Sequence, residues 1–130
     1  ESKAELQLQN WKVFGGAKMH EEHVNKGFIT TEDMAEFCQD HLNMDLFRMV
    51  CCKFYLREII MNNHIRFIPS VKLGEDTLFM VEYMSHVSSV QIVDSSLYMY
   101  RRSGQWARKY ELSIKDANVF VSSFYSRYKR

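Results

Sequence analysis

The sequence predicts an α/β domain, α+β in the arrangement of this segment, with short strands and several helices, on three observations. Apolar residues recur at helical spacing over residues 32–43, 75–87 and 113–128. Between these runs stand short stretches dense in β-branched and aromatic residues and bounded by polar turns. Of the 130 residues, 46% are hydrophobic, enough for one core, so residues 1–130 are expected to form a single domain.

In chain order, residues 3–14 set Leu6, Asn10 and Val13 against Leu8, Trp11 and Phe14, a mixed pattern that reads as a helix, or a helix following a short strand. Gly15-Gly16 and Gly27 break the chain. Thr31 then reads as an N-cap for a helix over roughly 32–43, with Met34, Phe37, Cys38, His41 and Leu42 on its apolar face. Phe47 to Leu56 is short and densely apolar, which suits a buried strand or an irregular core segment. Arg57–Asn63 reads as a short helix, followed by extended Ile65–Ile68 up to Pro69, which stops any helix. Gly74 opens the central helix, whose face is Phe79, Met80, Tyr83, Met84 and Val87. Val90–Val93 and Leu97–Arg101 read as two short strands separated by Asp94-Ser95-Ser96. Residues 113–128 close the chain as a helix with Ile114, Ala117, Phe120, Val121, Phe124 and Tyr128 on one stripe.

A formal net charge of +1 offers no general grip on nucleic acid, and a nucleic-acid partner is not expected. Cys38 and the vicinal pair Cys51-Cys52 lack the spacing of a zinc site or a disulfide framework, so reduced, structural thiols in a cytoplasmic protein are the simplest reading. No apolar run approaches the roughly 20 residues of a membrane span. The opening Glu1-Ser2-Lys3-Ala4, without an initiator methionine, reads as a chain cut from a longer protein.

The chemistry-bearing candidate is the acidic pair Glu75-Asp76 after Gly74. Carboxylates suit the positively polarised first turn of a helix, so a purely structural cap and a functional acid are both open readings. His20-Glu21-Glu22-His23 spaces its imidazoles at i and i+3 rather than the i and i+4 of zinc peptidases, and reads as a solvated helix face. No metal ligands are expected in this chain.

Four blocks in order carry a family resemblance: Lys53-Phe54-Tyr55-Leu56-Arg57-Glu58-Ile59-Ile60, Asn63-His64-Ile65-Arg66-Phe67, Gly74-Glu75-Asp76-Thr77-Leu78-Phe79 and Leu97-Tyr98-Met99-Tyr100-Arg101. Over roughly residues 47–102 the chain resembles the C-terminal half of bacterial family 2 glycosyltransferases, inverting enzymes of the GT-A type that serve polysaccharide biosynthesis. The resemblance implies a parent that moves a sugar from a nucleotide-sugar donor to a saccharide or lipid-linked acceptor, in the cytoplasm and at the inner face of the membrane. It assigns the general base to Asp76, an orienting role to Glu75, and substrate contacts to Lys53, Tyr100, Arg101 and Arg102. Guanidinium groups at the last two would suit the diphosphate of a leaving group.

Two departures qualify the likeness. Cys51-Cys52 stands where many relatives carry a tryptophan, so an aromatic wall for a sugar is expected to be either missing or supplied elsewhere. The Asp-x-Asp that would hold a divalent metal, magnesium or manganese, does not occur in these residues. The chain is therefore expected to be the acceptor-side fragment, with no cofactor of its own, inactive alone and prone to self-association. The alternative is a non-catalytic interaction domain in which Glu75-Asp76 only caps a helix.

Overall fold

A computed structural model of the chain describes residues 4–15, 19–41, 44–101 and 114–128. It is a mixed α/β structure, as the sequence predicts. Among the described residues one sheet contains β1 (Leu6–Phe14), β2 (His20–Glu22), β3 (Gly27–Ile29), β4 (Lys53–Tyr55) and β5 (Val90–Arg101). The helices are α1 (Met34–His41), α2 (Asp45–Arg48), α3 (Arg57–Asn62), α4 (Glu75–Met84) and α5 (Ile114–Tyr128).

β1 is the spine of the sheet. It pairs in parallel with β5, from Leu6 opposite Val90 to Phe14 opposite Arg101. Its other edge is shared by two antiparallel neighbours, β4 along Leu6–Leu8 and β2 along Trp11–Val13. β3 adds antiparallel to the start of β5.

The helix expected over residues 3–14 is thus a strand, and the cause of the difference is a register shift at Asn10. Leu6, Leu8, Trp11 and Val13 are all buried, at spacings of two, three and two. An irregularity in the ladder reverses which residues point inward, so the period of two that marks a strand is interrupted in mid-element. The same irregularity merges the two strands expected at 90–93 and 97–101 into one. Val93 pairs with Gln9 and Tyr98 with Trp11, so residues 94–97 bulge opposite Asn10 alone. The polar triplet that reads as a turn is held in this bulge by side chains of the neighbouring strands. His23 Nε2 lies 3.3 Å from Asp94 Oδ1, the Ser95 hydroxyl 3.4 Å from Gln9 Oε1, and the Ser96 hydroxyl donates to Glu21 Oε1.

Asn10 itself is fully buried and pins the chain between β2 and β3. Its Oδ1 accepts the Val24 N–H at 2.8 Å and its Nδ2 donates to the Val24 carbonyl at 3.3 Å, so neither end of the amide is left unsatisfied in the core. The segment His20–His23, expected on a solvated helix face, is instead strand β2 and its exit. α1 begins later than expected, at Met34, and the Thr31 hydroxyl donates to the Ser88 carbonyl at 3.3 Å rather than capping the helix. Phe47–Leu56 is the irregular option of the two expected: the end of α2, a turn, and three residues of β4. α3, α4 and α5 stand where the sequence reads as helix.

α4 closes the core with Phe79, Met80 and Tyr83, which cluster with buried residues of the sheet and the α2–β4 segment, and Leu78 is buried outside that cluster. Tyr83 does more than fill space. Its hydroxyl donates to the Glu5 carbonyl at 2.6 Å and accepts the Leu56 N–H at 2.8 Å, joining α4 to the entry of β1 and the exit of β4. Its ring meets Tyr55 edge-on, centroids 4.9 Å apart.

Tyr83→Phe keeps the ring and removes both hydroxyl bonds, leaving the Leu56 N–H and the Glu5 carbonyl their mutual 3.3 Å bond, so unfolding in urea is expected at lower midpoint, by about 0.5–1.5 kcal/mol of stability. Burial also raises the Tyr83 phenol above its ordinary 10.0, and Tyr55 likewise. A group whose folded pKa is raised contributes stability that is complete below the unfolded value and lost as pH climbs past it. Stability is therefore expected to decline above pH 10.0, and less steeply in Tyr83→Phe, when urea titrations are repeated through the alkaline range.

Candidate functional site

Gly74 has φ +84°, a left-handed conformation that an L side chain adopts at a cost, and it turns the chain directly into α4. Glu75 and Asp76 therefore enter the first helical turn, where the exposed amides favour negative charge. The Asp76 carboxylate reaches across to another element, its Oδ2 accepting the Val50 N–H at 3.4 Å. One long hydrogen bond leaves a carboxylate ample capacity to take a proton, since its oxygens offer about four acceptor sites.

The acidic pair lines an open cavity of about 480 Å³, between the α4 entrance, the end of α2, β5 and α5. Its walls bring Glu75 and Asp76 together with Tyr100. They add Asp45, Arg48, Lys72 and Phe120, which the sequence reading does not single out. Asp45 and Arg48 are an i, i+3 pair on α2, with Arg48 Nη2 2.6 Å from Asp45 Oδ1. Lys72 reaches α5, 3.3 Å from Asp116 Oδ1. The Asp45/Arg48 spacing was a legible helix-pair signal, whereas nothing in the sequence announces that Phe120 folds back on Gly74.

Lys53 lies behind this wall rather than in it. Its ammonium donates to the Leu46 carbonyl at 2.6 Å, to the Cys51 carbonyl at 3.2 Å and to the Met49 carbonyl, which matches its three protons. Burial pushes its pKa down, against the pull of Cys52, Cys51, Asp76 and Glu22 around it. The structure thus gives Lys53 a scaffold position next to Asp76, and its donors are occupied without a substrate.

Arg101 is also set apart from the cavity. Alternation along β5 turns it away from Tyr100, and its guanidinium lies over the Phe14 ring, 5.3 Å from the centroid. Arg102 lies outside the described residues. Tyr100 packs on Trp11, ring centroids 5.0 Å apart, and Trp11 is itself fixed by a 3.0 Å hydrogen bond from Nε1 to Glu22 Oε2. The same Glu22 oxygen accepts the Leu46 N–H at 2.6 Å, so β2 anchors α2 at the cavity edge.

The three cysteines are reduced, with Cys52 buried and Cys38 and Cys51 half-buried. Cys51 is drawn below the usual thiol value, chiefly by its hydrogen bond with Cys52, whose own thiol is pushed up by the same contact. Among the described residues no three His, Cys, Asp or Glu side chains converge as a metal site. No helix among the described residues is long and apolar enough to cross a membrane. Neither protein-family models nor curated proteins give a match to this chain.

Gly74 is constrained twice, by its φ and by the Phe120 ring, whose Cε2 lies 2.5 Å from where a β-carbon would stand. Gly74→Ala is expected to lower stability by at least about 1–2 kcal/mol from the left-handed backbone alone, with the steric conflict in addition. A double-mutant cycle with Phe120→Ala, read by urea denaturation, is expected to recover the steric part and leave the backbone part.

Proposed function

We propose that this chain is the acceptor-side part of an inverting GT-A glycosyltransferase resembling bacterial family 2, in which Asp76 is the general base. The observation that supports it best is the meeting of Glu75, Asp76 and Tyr100 at one cavity, since they come from blocks well separated in the chain. In this reading Asp76 takes the proton of an acceptor hydroxyl while the oxygen attacks the anomeric carbon of the donor. The bond to the nucleoside diphosphate breaks on the opposite face, its electron pair leaves with the diphosphate, and the configuration inverts. Glu75 orients the acceptor. Donor binding, with any magnesium or manganese, belongs to the remainder of the parent, which acts in the cytoplasm at the membrane surface, and this chain alone is inactive.

The competing reading, an interaction domain whose acids merely cap α4, is less well supported. Gly74 holds the N-cap position without a side-chain hydrogen bond, and the Asp76 carboxylate engages Val50 in a different element.

In the full-length protein, Asp76→Asn is expected to cut transfer by roughly two to four orders of magnitude with little change in melting temperature, because Asn preserves size and helix-start preference but accepts no proton. Glu75→Gln is expected to be milder. Steady-state transfer assays beside thermal melts check both, and near-native activity in Asp76→Asn would leave the helix-start reading standing alone.

The same reading has the isolated chain associate with itself. Leu97 is 83% exposed and Met99 58% exposed on β5, and Val121 and Tyr125 are exposed on α5. Light scattering is expected to give a mass above that of one chain that rises with concentration, and a monomer at all concentrations would refute it.

A further inference from the structure

Phe120 stands on α5, 44 positions beyond Asp76, yet its ring is pressed onto the residue two before that carboxylate. The contact at Gly74 is so close that only a hydrogen on the α-carbon admits the ring. A further contact holds α5 in place at this rim, the Lys72–Asp116 ion pair at 3.3 Å, and within α5 the Phe120 ring stacks on Phe124 with centroids 6.1 Å apart. Phe120 is therefore a placed element of the cavity wall. With Tyr100 it gives the cavity two aromatic rings beside three carboxylates, of which Asp45 is paired with Arg48.

That combination has a specific chemical match. A pyranose carries apolar C–H faces that lie on aromatic rings and hydroxyls on its edge that donate to carboxylates. The cavity, at about 480 Å³, is within the range of small-ligand sites. Its charges also select. Among the described residues the lining cations are Arg48 and Lys72, and each is already paired with a carboxylate, Asp45 at 2.6 Å and Asp116 at 3.3 Å. An anionic ligand would meet cations already balanced by these carboxylates and approach Glu75 and Asp76 as a like charge.

We propose that Phe120 is the aromatic wall on which a neutral sugar acceptor lies, and that α5 is therefore the element that selects the acceptor. The proposal rests on the reading of this cavity as an acceptor site and goes beyond it in naming the wall, the element and the charge class. It also supplies the aromatic surface that is missing at Cys51-Cys52.

Saturation-transfer NMR on this chain, with methyl β-glucopyranoside and methyl β-galactopyranoside as neutral probes and methyl β-glucuronide as the anionic one, tests it at millimolar ligand. The neutral glycosides are expected to receive saturation mainly on ring C–H protons, and the glucuronide less. Phe120→Leu, which keeps an apolar side chain but removes the ring, is expected to weaken neutral binding about threefold to tenfold, and Phe120→Trp to retain it. Thermal melts accompany each variant, and Phe120→Trp serves as the measure of the wall if Phe120→Leu does not fold. Equal affinity in native protein and Phe120→Leu overturns the role of Phe120 while leaving the acceptor site intact. Equal binding of the glucuronide overturns the charge selection. Absence of binding by every probe overturns the inference as a whole, and the fate of Asp76→Asn in the transfer assay then decides separately whether the glycosyltransferase reading falls with it.

Discussion

A buried ammonium must have a partner for every proton, and the way Lys53 meets that demand shapes the wall against which the cavity is built. Its three donors gather carbonyls from Leu46, Met49 and Cys51, drawing the end of α2 and the following turn around one point. Cys52, at φ 56°, takes the left-handed step that brings the chain from this cluster into β4. In the same wrap the Val50 N–H faces Asp76 and the Val50 carbonyl accepts the Tyr55 hydroxyl at 2.7 Å. Removing the charge would orphan three carbonyls in the interior, a larger loss than the ordinary deletion of a surface lysine.

The cavity that results is assembled from distant parts. The acids come from a helix start, the ion pair from α2, Tyr100 from the sheet, and Phe120 from the last helix. Each is positioned by a different physical device: helix geometry, the half-buried carboxylate of Glu22, stacking on Trp11, and contact with a glycine that has no side chain to interfere. The acids that face the cavity are thereby separated from the cation that organises the wall. The Asp76 charge favours the protonated form of Lys53, which does not itself line the cavity.

How much of this was legible in the sequence follows from which signals are local. α4 was legible because Gly74, the acids after it and the apolar face are adjacent in the chain, and α5 because its periodicity is unbroken. β1 was not, because its inward-facing residues change phase at Asn10, and phase is set by a partner strand far away in the sequence. For the same reason Asp94-Ser95-Ser96 looked like a turn, although its side chains are satisfied inside a continuous strand. At the site, Glu75, Asp76 and Tyr100 could be named from their blocks. The occupied ammonium of Lys53 and the outward course of Arg101 depend on tertiary contacts and could not.

The parallel pairing of β1 with β5 also has a consequence in time. Glu5 N–H donates to the Ser89 hydroxyl across a separation of 84 residues, at the point where the two strands begin to pair. With synthesis at about 5–20 residues per second, the spine of the sheet leaves the ribosome several seconds before its longest partner. In that interval only β2, β3, β4 and the first helices are available, and the apolar edge of β1 that will receive β5 is open to whatever is nearby. Folding of this chain is thus governed by loop closure over a long span, the kind of topology that is slow and exposed to misassembly, and β4 with Lys53 is the element placed to hold β1 until its partner arrives.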